Sequence, residues 1–164
     1  MDATLQALIS ELTSPRTMMA AEQRFLSAGS DAVPVLETIF NGEAKNEHGV
    51  AYKQLGLPLR CALEIALRLG SLAKPLEPYI REEVSRGVYW TAAAALREMP
   101  PLEDASVTAL ATALSGELDP ASEAARTLIQ LGHAEHPAVQ REVATSPKAE
   151  KLWLTVMGWQ ARRS

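Results

Sequence analysis

The sequence contains few of the residues that usually carry enzyme chemistry. Its one cysteine, Cys61, excludes an intramolecular disulfide and a cysteine-built zinc site. Only three histidines occur, and the pair His133 and His136 has no cysteine nearby to complete a metal site. No glycine-rich phosphate loop, serine elbow or HExxH pattern is present. We therefore expect no enzyme, no metal and no cofactor.

Long apolar runs and an excess of basic residues are also lacking. No stretch approaches the roughly 18 apolar residues that a membrane span needs. The formal net charge is −4, so the chain as a whole should repel phosphate backbones and anionic membranes. The N-terminus has neither the basic nor the apolar region of a secretory signal. We expect a cytoplasmic protein that binds neither nucleic acid nor membrane.

Aromatic residues make up only 5% of the chain, whereas 47% of all residues are hydrophobic, with alanine and leucine dominant. This composition favours close-packed helices over sheets, which are rich in valine, isoleucine and aromatic residues. A length of 164 residues is typical of one domain with a sizeable core. We predict an all-α protein with a single domain over residues 1–164.

A helix-stop-helix unit recurs along the chain. Its best copy is Ala62–Pro75, in which an apolar helix runs to Gly70 and Pro75 opens the next helix. Weaker copies end at Gly29, Pro100 and Gly132. The stops are 41, 30 and 32 residues apart, within or near the spacing of solenoid repeats. Such repeats bury their apolar faces by stacking on one another.

The pattern predicts about ten helices and one insertion. The expected helices are Ala3–Leu12, Thr17–Ala28, Ala32–Phe40, Leu57–Leu69, Leu76–Ser85, Tyr89–Met99, Ala105–Leu114, Ser122–Leu131, Pro137–Ala144 and Ala149–Arg162. The longer first interval is explained by a protruding loop around residues 41–56, which is polar and glycine-containing. The last helix, around 149–162, starts after the capping sequence Ser146-Pro147 and is expected to cap the open end of the stack.

Aligning the copies on their stops gives repeated columns. One column holds only small residues, namely Ala21, Ala62, Ala92 and Ala124. A larger apolar column holds Phe25, Ala66, Leu96 and Leu128. Small residues let neighbouring helices approach closely, and larger ones fill the space between them. Arg97 stands in a column otherwise filled by Leu26, Leu67 and Ile129, either because that position is exposed or locally shifted, or because it holds a cation at the wall of a groove.

These columns resemble HEAT repeats, in particular the bacterial kind related to phycobilin-lyase-type HEAT repeats. The match is best in Ala62–Pro75 and Ala124–Pro137, which follow the pattern of a small residue, apolar positions, a glycine stop and a proline. The resemblance implies a short right-handed α-solenoid of antiparallel helix pairs with a concave and a convex surface. A two-layer helical domain without regular stacking is the alternative.

The positions that packing does not require form a candidate binding face. They are Gln23, Arg24, Glu64, Arg68, Trp90, Arg97, Glu98, Glu123, Arg126 and Gln130. Analogy with HEAT repeats places most of this ladder on the concave side. Its charges have mixed sign, which suits a protein or peptide better than a nucleic-acid backbone. The alternative is a face that is merely solvated.

Three function classes follow. The first is a scaffold or adaptor that binds a protein or peptide through the concave helix face. The second is an immunity-type inhibitor of a toxin or enzyme, which would use the loop 41–56 and the segment 98–123, where six acidic residues stand without one lysine or arginine and would attract a basic partner. The third, a HEAT-like DNA glycosylase, would need a basic groove that the acidic balance disfavours.

Tryptophans add one further expectation and one open question. Trp90 opens the second helix of the third repeat and is either an exposed anchor or a side chain packed beneath the loop. Trp153 and Trp159 share the last helix with Leu152, Val156 and Met157, at spacings that predict a broad apolar face.

Overall fold

A computed structural model describes residues 2–163, and this part of the chain is helical without β-strands. Its α-helices are α1 (Ala3–Leu8), α2 (Met18–Ala28), α3 (Ala32–Phe40), α4 (Gly56–Leu69), α5 (Glu77–Arg86), α6 (Trp90–Arg97), α7 (Asp104–Ala113), α8 (Leu118–Gln130), α9 (Pro137–Thr145) and α10 (Pro147–Arg163). The all-α prediction is confirmed.

About ten helices were predicted, but two of the ten α-helices in the described residues are short. Eight helices in the described residues have nine or more residues. The first predicted helix stops being α-helical after Leu8 and continues as the tighter 3-10 segment Ile9–Thr13. The helix α6 has only eight residues and ends at Arg97, shortly before Pro100 and Pro101, which cannot continue a helix.

The chain divides into two compact units, Met1–Tyr79 and Ile80–Ser164, here called the first and second unit. The division falls within the sequence of α5. A single domain over the whole chain stays a prediction, as does the solenoid arrangement, and each unit is described by itself.

In the first unit, α2 and α3 both pack against α4. Phe25, Leu36 and Leu63 lie at the centre of this packing and are fully buried. The Tyr79 hydroxyl donates a hydrogen bond of 3.0 Å to the Glu37 carboxylate. The aligned column of small residues lies in this contact, as predicted, and lets the helices approach each other closely.

In the second unit, α8 is the central helix and packs against α6, α7 and α10. The closest partnership is between α6 and α8, where Ala92 and Ala124 are fully buried. The buried Thr127 hydroxyl donates a 2.9 Å hydrogen bond to the Ala93 carbonyl, which joins the two helices. A polar group buried in this way is stabilising only because its hydrogen bond is made.

The glycine stops are confirmed by the backbone. Gly29, Gly70 and Gly132 have φ of 60, 62 and 79°, a region that favours glycine. The proline that follows each stop behaves less uniformly. Pro137 is the first residue of α9, as predicted, whereas Pro75 lies inside the 3-10 segment Gly70–Leu76 and α5 begins only after it.

The predicted loop around 41–56 is a short hairpin. Lys45 and Ala51 form an isolated antiparallel bridge, and the Asn46 side-chain oxygen accepts hydrogen bonds from the backbone N–H groups of His48 and Val50. Tyr52, at the base, is buried. The hairpin is therefore anchored to the first unit while its tip is exposed.

No helix within residues 2–163 combines the length and the apolar content that crossing a membrane requires.

Candidate interaction surface

The ten predicted site residues fall into both units. In the first unit, Gln23, Arg24 and Arg68 are exposed, and Glu64 is half-buried. The remaining six lie in the second unit on α6 and α8 or directly after α6. Glu98 and Gln130 are exposed at the ends of these two helices. The structure brings together Trp90, Arg97, Glu123 and Arg126 in the second unit.

Arg97 occupies the same kind of position as the residues aligned with it. Leu26, Leu67 and Ile129 are half-buried, and so is Arg97. The column therefore lies at the rim of the packed faces, and no local shift is needed to accommodate a charge. From there, the Arg97 guanidinium donates a 2.5 Å hydrogen bond to Glu123, which links α6 to α8.

Glu123 joins two arginines. Its second oxygen lies 3.7 Å from the Arg126 guanidinium, one helical turn further along α8. Arg126 in turn lies over the ring of Trp159 on α10, 5.9 Å from the ring centroid, within the range of a cation–π contact. A chain of polar and aromatic contacts thus connects α6, α8 and α10 through Glu123 and Arg126.

Two of the three tryptophans are exposed. Trp90 and Trp159 have 49% and 40% of their surface accessible, whereas Trp153 is buried. The predicted apolar face on the last helix is only partly covered. Trp153 and Val156 are buried, whereas Met157 and Trp159 are exposed, and Trp159 lies about 120° around the helix from Trp153.

Three cavities adjoin these side chains, all in the second unit. The Trp90 pocket, of about 350 Å³, is lined by Trp90, Asp119, Ser122, Glu123 and Arg126. The arginine pocket, of about 310 Å³, is lined by Arg126, Trp159, Arg162 and Arg163. The apolar pocket, of about 260 Å³, is lined chiefly by Leu114, Leu118, Leu152 and Trp159, with Lys148 and Lys151 among its other lining residues. Arg126 and Trp159 are each shared by two pockets.

Half of the acidic side chains in the segment 98–123 already have partners. Glu103 is ion-paired with Arg81, Asp104 is hydrogen-bonded to His136, and Glu123 contacts both arginines described above. The basic partners come from outside the segment. A run of carboxylates in the sequence therefore overstates the free negative charge at this surface.

His136 has a structural task that sequence reasoning missed. Its Nδ1 accepts a 3.1 Å hydrogen bond from the Ala138 N–H and so caps α9. Nε2 must then carry the proton of the neutral ring, and it donates to Asp104 at 2.7 Å. No cluster of histidine, cysteine, aspartate and glutamate suited to a metal ion occurs among residues 2–163.

Cys61 is a poor nucleophile in this environment. Its side chain is buried, and burial, with a further contribution from Glu22, raises the pKa of the thiol to about 12. Because the thiolate is the reactive form, the thiol is inert at neutral pH.

No family model matches this chain, and neither the curated proteins nor the solved structures compared with it give a match. The resemblance to HEAT repeats stays a prediction.

Proposed function

We propose that this protein is a non-enzymatic scaffold or adaptor of the cytoplasm, built from HEAT-like helical repeats, that binds a protein or peptide. The contact surface is formed by Trp90, Arg126 and Trp159 and is called here the Trp–Arg surface. The observation that supports it best is the pair of half-exposed tryptophans beside an arginine that is already held in place.

The side chains of this surface are those that contribute most to protein interfaces. Tryptophan and arginine are enriched among residues whose truncation costs a complex more than about 2 kcal/mol. Arg126 already contacts Glu123 and the ring of Trp159 before any partner arrives, so part of the cost of ordering its side chain falls on folding rather than on binding.

The charges at the surface favour a protein over a nucleic acid. The Trp90 pocket contains the carboxylates of Asp119 and Glu123 beside Arg126. A nucleic-acid backbone needs a continuous row of basic side chains, and the two carboxylates interrupt such a row at the Trp90 pocket. If the chain forms HEAT-like repeats, α6 and α8 would be the second helices of two consecutive repeats, and a HEAT-like solenoid would place this surface on its concave side.

The alternative of an immunity-type inhibitor has less support. It would use the segment 98–123 to attract a basic toxin or enzyme, yet three of the six carboxylates there are engaged within the second unit. Salt would screen what remains.

Affinity capture from the native source tests the proposal. We expect the wild-type protein to retain a discrete, stoichiometric partner, and Trp90→Ala or Trp159→Ala to reduce its recovery at least about tenfold. Met19→Ala is the matched control, because Met19 is 70% exposed but lies in the first unit. Equal recovery with all variants would contradict the proposal, and loss of enzymatic activity in a captured enzyme would favour the inhibitor.

A further inference from the structure

Within the described residues, the positive charge of the arginine pocket is only partly neutralised. Neither Arg162 nor Arg163 has a carboxylate within ion-pair distance in the described part of the chain. Arg126 has one, Glu123, but that carboxylate lies closer to Arg97, at 2.5 Å against 3.7 Å. One negative charge is therefore shared by two arginines, and the pocket remains cationic in a chain whose net charge is −4.

The apolar pocket adjoins it and shares the ring of Trp159. Leu118, at its edge, is 66% exposed, which is a large apolar side chain to leave in water. Lys148 and Lys151 add two more basic residues to its lining. An apolar recess bordered by cations and a cationic recess thus meet at the ring of Trp159.

We propose that these two pockets together bind a short acidic–apolar peptide segment, with an apolar side chain in the apolar pocket and a neighbouring carboxylate in the arginine pocket. This inference rests on the proposed function and specifies the partner class of the same surface. Guanidinium groups bind carboxylates through paired, charge-assisted hydrogen bonds, and the face of Trp159 contributes apolar contact to both halves of the segment.

Size and charge favour this occupant. The two pockets hold about 260 and 310 Å³, at or below the lower end of the ~300–1,000 Å³ of small-molecule sites, so each suits one or two side chains. The flanking Trp90 pocket contains Asp119 and Glu123, which would repel a longer polyanion. The proposed partner segment is acidic, whereas the acidic segment 98–123 of the sequence indicates a basic partner.

The test uses the full chain and a synthetic peptide in which two leucines precede three acidic residues. The indole N–H signals of the three tryptophans are followed by NMR and assigned with Trp→Phe variants. We expect the signal of Trp159 to shift on titration, whereas that of the buried Trp153 stays in place. A peptide with the acids replaced by their amides should bind at least about tenfold more weakly, as should one with the leucines replaced by serines.

Variants separate the two halves of the site. Replacing both Arg162 and Arg163 by alanine should weaken binding of the acidic peptide about tenfold and reduce its salt dependence. Arg141→Ala is the matched control, since Arg141 is exposed on α9 and lines neither pocket. Leu118→Ser should weaken binding, and Leu154→Ser, on the opposite side of α10 from Trp159, should not; circular dichroism verifies that each variant keeps its helicity.

Equal binding of the acidic and amide peptides would overturn the inference. So would binding of decanoate at Trp159 without binding of the peptide, because an apolar chain with one carboxylate would then be recognised as a small molecule. If no peptide binds while capture of a partner still depends on Trp159, the peptide class is wrong and the proposed function stands. If capture also fails, both are wrong.

Discussion

At the residue scale, Arg97 replaces an apolar residue of the repeat without disturbing the packing. Its column is half-buried in every copy, so the aliphatic stem packs while the guanidinium reaches Glu123. Glu123 has a side chain that is only 12% exposed, so it depends on this contact to compensate for its desolvation. One hydrogen bond thus both stabilises the α6–α8 pair and positions the carboxylate that orients Arg126.

We expect Arg97→Ala to lower the free energy of unfolding by about 2 kcal/mol, because the largely buried Glu123 carboxylate loses its closest partner. Urea denaturation measures the change. Arg81→Ala is the comparison: its partner Glu103 is 54% exposed, so the loss should stay below about 1 kcal/mol. Equal losses of unfolding free energy in the two variants would contradict the claim that burial of the carboxylate makes the Arg97 contact more important.

Cys61 gives a prediction about pH. Its pKa is raised from 9.0 to about 12 in the folded chain, so the thiol is neutral in both states at lower pH. Between these two values only the unfolded chain loses the proton, and the free energy of unfolding falls as pH rises. The difference in stability between wild type and Cys61→Ala should therefore shrink from about pH 8 to about pH 10. A constant difference in urea denaturation across that range would contradict it.

At the element scale, α9 and α10 each begin with a side-chain cap, but only the cap of α10 could be predicted from the sequence. The Ser146 hydroxyl accepts a 3.2 Å hydrogen bond from the Ala149 N–H at the start of α10, as the sequence predicts. His136 does the same for α9, although histidine is not among the usual capping residues and its partner Asp104 is 32 residues away. A cap that depends on a distant partner leaves no local signal.

We expect His136→Ala to destabilise the protein by about 1 kcal/mol, because the first turn of α9 loses a hydrogen-bond acceptor. His136→Asn should retain most of the stability, since asparagine is a favoured cap. Thermal unfolding followed by circular dichroism compares the two, with His133→Ala as a control without a capping role. Should the asparagine variant be as unstable as the alanine variant, the cap would not be the source of the effect.

Helix positions were largely predictable, and departures from regular α-helix were not. Glycine stops and the buried columns locate the helices because backbone conformation and close packing constrain those residues directly. The 3-10 segments Ile9–Thr13 and Gly70–Leu76 were missed, since short apolar patterns do not distinguish the two helix types.

At the scale of the whole molecule, composition bounds the partner only loosely. A net charge of −4 disfavours a polyanionic partner, yet the second unit contains a cationic pocket formed by residues 37 positions apart, from Arg126 to Arg163. The exposure of Trp90 and Trp159 could not be predicted from the sequence either, because the burial of an apolar side chain depends on which helices cover it. The sequence predicts the candidate residues, and only the fold brings four of them together.

Site-specific photo-cross-linking tests the central claim most directly. A benzophenone amino acid is placed at position 155 or at position 154 of the full chain, expressed in the native source. Both positions are exposed on α10. Thr155 lines the apolar pocket one helical turn from Trp159, whereas Leu154 lies outside the Trp–Arg surface and its pockets. We expect position 155 to cross-link to one discrete protein that position 154 does not capture. The same adduct from both positions, or no protein adduct from position 155, would contradict the account.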